Sequence, residues 1–330
     1  MKNYRPLPVL AILVLLAGLV LSACAPAATT PAATTNPEPS EPVRLRIAVL
    51  PILDALPMYV AEQKDYFEAQ GVQVEFVPVA SAAERDQIMA AGQADGMIND
   101  LVSTLFYNKD AVQIQIVAFS RTATPEFPQY RILAAANSGI TSVEGLRGVE
   151  IGISEGSVIA YTTDRLLQAE GFAADEIKTI AVPKIPDRMA LLASGELKAA
   201  NLPDPLSSLA IQGGAVPILD DTTHPEYGNS VISFRKAVID EHPQAIRGFL
   251  VGLEQAIGEI GANPGQWDSL LSEQKLVPEP LIGAYEIPPF PTGQVPSESQ
   301  WSDVLDWAKE KGLITTDVLY SASVTSSFLP

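Results

Sequence analysis

The chain has 330 residues and a formal net charge of −18, from 39 acidic and 21 basic residues. This acidic excess argues against nucleic acids and anionic lipid surfaces as partners, and it favours solubility. With one cysteine and two histidines, the chain holds neither an internal disulfide framework nor a thiolate cluster, and a histidine-rich metal site is not expected. We predict no metal and no cofactor.

The N-terminal segment has the pattern of an export signal. Lys2 and Arg5 precede the apolar run PVLAILVLLAGLV, and Leu21-Ser22-Ala23-Cys24 follows it. The run is shorter than the roughly 20 apolar residues of a membrane-spanning helix but suits a signal peptide. The order Leu-Ser-Ala-Cys resembles a bacterial lipobox, in which the cysteine is lipid-modified and becomes the mature N-terminus. We predict a signal peptide over 1–23 and lipidation of Cys24. An ordinary signal peptide with a chance cysteine is the alternative.

Residues 24–42 are rich in Ala, Thr and Pro and carry few charges. Such a segment buries too little apolar surface to order itself, so we predict a flexible tether. A diacylated cysteine would hold the folded body on the extracytoplasmic face of the cell membrane. Inner and outer membranes are not distinguished by the sequence.

From Leu45 the chain alternates β-branched segments with helical ones. The predicted strands are LRIAVL, VQVEFVPV, GMIND and VQIQIVAFS. The predicted helices between them are PMYVAEQKDYFEAQ, which Gly71 ends, SAAERDQIMAAG, with the capping box Ser81-x-x-Glu84, and LVSTLFYN. Alternation at this spacing indicates βαβ units and a parallel sheet.

After RTATPEFPQYRILAAA the pattern restarts, with Thr141-x-x-Glu144 predicted to cap a short helix. The predicted strands are VEIGIS, IKTIAVP, KAANLP and VISFRKAVI; the helices are GSVIAYTTDRLLQAEG, DRMALLASG and HPQAIRGFLVGLEQAIGEI. We therefore predict two α/β lobes, lobe I over 43–125 and 228–330 and lobe II over 126–227. They are joined by crossovers near 120–132 and 220–232, and the C-terminal helices complete lobe I.

Several segments carry a family resemblance. They are PMYVA with KDYFEAQGVQVEFVPV, ASAAERDQIMAAGQADGMI, ITSVEGLRGVEIGISEGS, LPDPLSSLAIQGG and ISFRKAVIDEHPQAIRGFL. In order and spacing they resemble the THI5/NMT1-like substrate-binding proteins of ABC importers, over most of 44–260. The resemblance implies a type II periplasmic-binding-protein fold with a ligand cleft between two lobes. It also implies a small-molecule ligand and an ABC permease subunit as partners.

In parallel α/β lobes, ligands bind beyond the carboxyl ends of the strands. This nominates the loops 51–59, 80–82, 99–103, 154–161 and 201–205. The predicted ligand-binding residues in them are Asp54, Tyr59, Ser81, Asn99, Asp100, Glu155, Ser157, Tyr161 and Asp204. Structural alternatives stay open for three of these residues. Tyr59 could pack in the core, Ser81 could act only as a helix cap, and Asp204, between two prolines, could only fix a turn.

These five loops contain acidic residues but no Lys or Arg. Each carboxylate would oppose an anionic ligand by roughly a kcal/mol, whereas carboxylates bind N–H and O–H donors well. Tyr59, Tyr107 and Tyr161 could stack on a flat ring. We therefore predict a neutral heteroaromatic vitamin or precursor, with riboflavin favoured. Thiamine-precursor pyrimidines and sulfonate or nitrate are the alternatives.

An enzyme of the same fold is a further alternative, such as a fungal pyrimidine synthase or a menaquinone-pathway enzyme. The synthases depend on a sacrificial histidine and a cysteine-rich segment. Here the one cysteine is in the lipobox, and His224 and His242 lie outside the five loops. GxSxG, HExxH, Walker A and GxGxxG motifs are also absent from the sequence. We predict that the protein is not an enzyme. A tethered sensor that hands its ligand to a receptor stays open.

Overall fold

The computed structural model describes residues 41–330. The first third alternates strands and helices: β1 Val43–Val49, α1 Leu56–Gln63, β2 Val72–Pro78, α2 Ala82–Ala90, β3 Gly96–Asn99, α3 Leu101–Asn108 and β4 Ile114–Thr122. The middle third continues with β5 Tyr130–Ala134, β6 Glu150–Ile153, α4 Val158–Ala169, β7 Lys178–Ala181, α5 Ile185–Ser194, β8 Ala199–Pro203, α6 Leu206–Gln212 and β9 Val216–Asp220. One more strand and then helices follow: β10 Asn229–Arg235, α7 Lys236–Glu241, α8 Pro243–Ala262, α9 Asp268–Glu273, α10 Glu298–Glu310 and α11 Tyr320–Ser323.

The strands form two sheets with matching topology. The first has the order β2-β1-β3-β10-β4 and the second β7-β6-β8-β5-β9. In the first sheet β1 runs parallel to β2 and β3, and β10 is antiparallel to β3 and β4. In the second, β6 runs parallel to β7 and β8, and β5 is antiparallel to β8 and β9. The prediction of two α/β lobes joined by two crossovers is confirmed.

Helix α8 closes one face of the first sheet. Its Phe249 stacks on Phe67 with ring centroids 4.8 Å apart and meets Phe234 of β10 edge-on at 5.3 Å. Buried aliphatic residues of β1 and α1 complete this core. Removing this apolar area from water is the main stabilising contribution to the lobe.

Helix α10, one of the C-terminal helices predicted to complete the first lobe, also contacts the second. Trp307 donates from Nε1 to Asp164 Oδ2 of α4 at 2.7 Å, and Arg165 of α4 reaches Asp303 at 3.0 Å. The same helix also packs against α3. Helix α3 connects β3 and β4 of the first sheet, and α4 connects β6 and β7 of the second. Helix α10 therefore covers parts of both lobes.

Three local predictions need correction. The segment VISFRKAVI is not one strand: β10 ends at Arg235, which pairs with Ile114 at the start of β4, and helix α7 begins at the next residue, Lys236. The helix predicted up to Gly71 ends at Gln63, and a single 3₁₀ turn precedes Gly71. The short helix after Thr141 is a 3₁₀ turn that starts from Ser142. None of the helices within residues 41–330 combines the length and apolarity that a membrane span requires.

Candidate ligand-binding site between the lobes

A cavity of about 70 Å³ lies between the carboxyl ends of the strands of the two sheets. On the measure by which one water needs about 10–15 Å³, this is room for about five waters. Both lobes and the crossovers line it. The polar lining residues are Asp54, Ser81, Arg85, Asn99, Asp100, Gln129, Tyr130, Ser154, Ser157, Arg188 and Ser230.

Five of the nine predicted ligand-binding residues line this cavity: Asp54, Ser81, Asn99, Asp100 and Ser157. Three of them are helix caps. Ser81 Oγ accepts from Glu84 N at 3.2 Å, Asp100 Oδ1 from Ser103 N at 2.8 Å and Ser157 Oγ from Ile159 N at 3.3 Å. The loops that turn from strand to helix therefore bring their capping side chains to the cavity, as expected at the carboxyl end of a sheet.

Asp54 sits at the junction of the lobes. Its Oδ1 accepts from Gln129 Nε2 at 3.1 Å and from the Ser230 hydroxyl, so both crossovers meet this carboxylate. Arg121 Nη1 lies 3.8 Å from Asp54 Oδ2. Asp54 is 4% exposed, and these partners offset the cost of burying its charge.

Asn99 and Asp100 mark the end of β3. Asn99 donates to Thr104 Oγ1 at 3.0 Å and accepts from the Ser233 hydroxyl at 2.7 Å. Burial raises the pKa of the Asp100 carboxyl, against the lowering effect of Arg85, whose Nη1 lies 3.9 Å away. Both side chains have protein partners, and both remain on the cavity wall.

The four other predicted residues lie elsewhere. Tyr59 packs against Phe76 at 4.5 Å between centroids, on the outer side of the first lobe. Glu155 is exposed to solvent. Tyr161 is buried in the core beneath α10, where it donates to Asp303 Oδ2 at 2.5 Å and meets Trp307 edge-on. Among the described residues that line the cavity, neither tyrosine is present, so the predicted stacking by Tyr59 and Tyr161 is not supported.

Asp204 lines a separate, neighbouring cavity with residues 275–279. Its carboxylate accepts from Arg131 Nη1 at 2.5 Å, from Ser207 Oγ at 3.1 Å and from the Tyr285 hydroxyl. Burial acts to raise the pKa of Asp204, but Arg131 and Arg121 outweigh it and hold this pKa below its usual range. Asp204 therefore does more than fix the turn between its two flanking prolines: its carboxylate also holds residues at the junction between the lobes together.

Two arginines in the lining were not predicted. Arg85 of α2 is 4% exposed and Arg188 of α5 is fully buried. Arg85 donates from Nε to Asp86 at 2.9 Å, and Arg188 donates to the backbone oxygens of Asn201 at 2.9 Å and Val182 at 2.7 Å. Burial lowers the pKa of Arg188 to about 10, so this residue is cationic at neutral pH. For Arg85, burial acts to lower the pKa, but Asp86 and Asp100 outweigh it and raise the value.

A sequence signal for these arginines does exist. Each is the fourth residue of a helix that starts at the carboxyl end of a strand. Side chains in a helix tilt toward its N-terminus, so a long side chain in the first turn reaches back over the loop. The predicted site stopped at the capping residues and therefore omitted this turn.

Three polar atoms of the lining lack a partner within residues 41–330. They are Nη2 of Arg85, Nη2 of Arg188 and Oε1 of Gln129. Buried polar groups are nearly always paired, because an unpaired one costs about 1–3 kcal/mol or more when charged. The two guanidinium groups can therefore donate to a bound oxyanion.

Two α/β lobes with a cavity between their strand ends have the architecture of a periplasmic-type binding protein. Residues 53–267 match the family model described as NMT1/THI5-like, which spans more than half of the chain. The chain belongs to this family. None of the curated proteins matches it.

Solved structures of binding proteins share the fold. The alkanesulfonate-binding protein SsuA from Xanthomonas axonopodis pv. citri, bound to MOPS, is 17% identical, with a TM-score of 0.71 over 87% of this chain and 99% of its own. The aliphatic sulphonate binding protein SsuA from Escherichia coli is 22% identical, with a TM-score of 0.72 over 86% and 92%. The nitrate-binding protein NrtA from Synechocystis PCC 6803 is 16% identical, with a TM-score of 0.69 over 87% of each chain. The predicted type II periplasmic-binding-protein fold is confirmed.

Proposed function

We propose that the protein is the extracytoplasmic solute-binding component of an ABC importer and that it captures a small oxyanion between its lobes. The family and the fold support the binding role. The structural neighbours that bind alkanesulfonates and nitrate support an anionic ligand. Delivery to a permease subunit follows from the role of such proteins in importers.

Arg188 is the residue that most favours an anionic ligand. It is fully buried, it lines the cavity and it stays cationic at neutral pH. Its hydrogen-bond partners are backbone oxygens, and within residues 41–330 no carboxylate lies in ion-pair range of it. A buried charge without a counter-charge costs several kcal/mol. An anionic ligand supplies that counter-charge, and at about 4 Å the attraction is on the order of 4 kcal/mol at an effective dielectric constant of 20.

The prediction of a neutral ligand depends on the absence of Lys and Arg from the five predicted ligand-binding loops. The cavity instead has two arginines beside the two carboxylates of Asp54 and Asp100. Asp100 lies within 3.9 Å of Arg85, and Asp54 accepts hydrogen bonds from Gln129 and Ser230. Since both carboxylates already have partners, they oppose an anion much less than free ones would.

A neutral heteroaromatic ligand, riboflavin among them, is the second candidate. Tyr130 lines the cavity and offers one aromatic ring there. Two observations count against such a ligand. Tyr59 and Tyr161 pack elsewhere and cannot stack on its ring, and a cavity of about 70 Å³ is small for a tricyclic ring with a polyol chain. An enzyme of this fold stays the least favoured alternative.

Isothermal titration of the purified protein separates the candidates. The probe ligands are two anions, ethanesulfonate and nitrate, and the neutral heteroaromatic compound riboflavin. Each is titrated at 20 mM and at 300 mM sodium chloride. For an oxyanion binder, an anion binds and its affinity falls as salt rises, since added ions screen the charges and chloride competes. Binding of riboflavin with quenched fluorescence and no salt dependence, without binding of either anion, would overturn the proposal.

We also propose that Cys24 anchors the protein to the membrane through a lipid. The lipobox-like Leu-Ser-Ala-Cys and the tether-like composition of 24–42 support this. Cys24 and the tether up to residue 40 lie outside the described residues. The anchor keeps the body next to its permease, where capture and delivery occur on the same surface.

A further inference from the structure

Arg85 and Arg188 occupy equivalent positions of the two lobes. Each is the fourth residue of the helix that follows the edge strand of its sheet, β2 for Arg85 and β7 for Arg188. The interval from Arg85 to Arg188 equals that from Gly92 to Gly195, the two glycines with positive φ that follow α2 and α5. The units β2-α2-β3 and β7-α5-β8 can therefore be aligned in sequence without a gap from Arg85 to Gly92 and from Arg188 to Gly195.

Both side chains donate to the backbone of the neighbouring strand, through different nitrogens. Arg85 Nη1 donates to the backbone oxygen of Ile98 at 3.4 Å, and Arg188 Nε donates to that of Asn201 at 2.9 Å. Ile98 and Asn201 are separated by the same interval as the two arginines, and they lie on the equivalent strands β3 and β8. Each guanidinium keeps a buried Nη2 without a partner in the described part of the chain.

The charges around the two arginines differ. Arg85 has Asp86 at 2.9 Å and Asp100 at 3.9 Å. The same interval that relates the arginines places Met189 opposite Asp86 and Pro203 opposite Asp100. The first lobe therefore presents a guanidinium that is already neutralised, and the second lobe presents one whose charge is uncompensated.

We infer that Arg85 and Arg188 form the two halves of one anion clamp, in which each Nη2 donates to a different oxygen of the same ligand group. This rests on the proposed function. Arg188 supplies the attraction, and Arg85 supplies mainly direction. The ligand group must carry at least two oxygens on one atom that share its negative charge, as sulfonates, carboxylates and nitrate do. Because each lobe contributes one arginine, an oxyanion contacts both only when the lobes are close together.

The test is a double-mutant cycle on the affinity for ethanesulfonate, measured by isothermal titration with purified protein. Hydrogen bonds to charged groups contribute about 1.5–3 kcal/mol, so Arg85→Gln and Arg188→Gln should each weaken binding by about tenfold to a hundredfold. The loss should be greater for Arg188→Gln. The double variant should lose less than the product of the single losses, since both residues act on one group. Arg147→Gln, at an exposed ion pair with Glu176, is the control and should leave affinity unchanged.

Two charge changes test the clamp without removing either arginine. Asp86→Asn frees the charge of Arg85 and should tighten ethanesulfonate binding several-fold. Met189→Asp places a carboxylate at the position equivalent to Asp86 and should weaken binding by about tenfold, near the loss of a charge-assisted contact. If Asp86→Asn and Arg85→Gln leave affinity unchanged while Arg188→Gln abolishes binding, the shared clamp is wrong and the proposed anion binding stands. If ethanesulfonate binds both arginine variants as tightly as the unchanged protein, the clamp is wrong although an anion is bound. If no probe anion binds the unchanged protein, the proposed function fails as well.

Discussion

Arg121 of β4 donates from Nη1 to the backbone oxygen of Asp204 at 3.0 Å, and so joins the two lobes directly. Its guanidinium lies 3.8 Å from the carboxylate of Asp54 in the first lobe and 3.9 Å from that of Asp204 in the second. Burial acts to lower the pKa of Arg121, but Asp54 and its other acidic neighbours outweigh it and raise the value. One buried cation therefore compensates carboxylates on both sides of the cleft.

Replacing Arg121 by Gln should destabilise the protein strongly. The change leaves Asp54 buried without its cationic neighbour, and breaking a buried ion pair costs about 3–5 kcal/mol. Urea unfolding followed by circular dichroism measures this loss. Arg247→Gln, at an exposed arginine that donates to Ser327 O, is the matched control and should change stability by less than about 0.5 kcal/mol. A loss below about 1 kcal/mol for Arg121→Gln would contradict the charge compensation described here.

Asp221 should make stability depend on pH. Its carboxylate accepts from Gln129 N at 2.9 Å and Tyr130 N at 3.1 Å, so it links the second crossover to the first. Burial raises the pKa of Asp221 to about 7, against the lowering effect of these N–H groups and of Arg121. Between about pH 4 and 7 the folded protein holds a proton that the unfolded chain releases. The contribution of Asp221 is therefore fully present below about pH 4 and is lost as the pH rises through 7.

The measurement compares the protein with Asp221→Asn, which has no charge to titrate. As the pH rises from 4.5 to 7.5, the unfolding free energy of the unchanged protein should fall relative to the variant by a few kcal/mol, since one pKa unit corresponds to about 1.4 kcal/mol. Urea unfolding at three pH values in this range gives both curves. Parallel curves would show that Asp221 is ionised throughout.

Tyr161→Ala should lower stability without acting on the ligand. Tyr161 is buried, hydrogen-bonded to Asp303 and packed edge-on against Trp307 and Tyr227. Truncating such an aromatic residue costs about 3–5 kcal/mol. Affinity, measured where the variant is fully folded, should match that of the unchanged protein. Tyr161→Phe, which keeps the ring, should cost about 1 kcal/mol. A tenfold loss of affinity with intact folding would instead return Tyr161 to the binding site.

Gly152→Ala should weaken anion binding through Arg188. A Cβ at Gly152 would lie 3.3 Å from Arg188 Cγ and 2.6 Å from Leu197 Cδ1, so the arginine must shift. We expect a several-fold loss of affinity for a probe anion that binds the unchanged protein, and a loss of stability. Gly261→Ala on α8, where nothing lies within 4 Å, is the control and should stabilise by about 0.5–1 kcal/mol. Equal affinities for both variants would show that the position of Arg188 is not critical.

Cys24→Ser tests the lipid anchor. The variant should no longer partition into the detergent phase of a Triton X-114 extract, because a serine hydroxyl cannot carry the thioether-linked lipid. Immunoblots of both phases provide the measurement, with Ser22→Ala as a control that keeps the cysteine. Unchanged partitioning of Cys24→Ser would exclude lipidation at this residue.

The regular strands and caps could be predicted because their signals are local. The β-branched segment of β1 is followed by a helix start, and the Ser81 cap bonds to Glu84 as its spacing indicates. Strand β9 is not among the predicted elements. It contains Pro217, which is tolerated there because β9 lies at the edge of its sheet. Local patterns therefore identify elements but not their place in a sheet.

The candidate site was only partly predictable for a related reason. Its capping residues follow from the rule that loops at strand ends face the ligand. Gln129, Tyr130 and Ser230 come from the crossovers, and their position at the cavity depends on how the two lobes meet. Tyr59 and Tyr161 are predicted at the site because each lies near the start of a helix. In the structure, Tyr59 packs against Phe76 and Tyr161 donates to Asp303, so neither ring lines the cavity.

The order of strands sets the order in which the lobes can assemble during synthesis. All strands of the second sheet lie within residues 130–220, so that sheet is complete once this stretch has left the ribosome. The first sheet requires β10, at 229–235, between β3 and β4, although its four other strands all come earlier in the chain. Until β10 arrives, the facing edges of β3 and β4 are unpaired, and unpaired edges invite aggregation. The second lobe can therefore complete its sheet before the first lobe does, although the chain of the first lobe begins earlier.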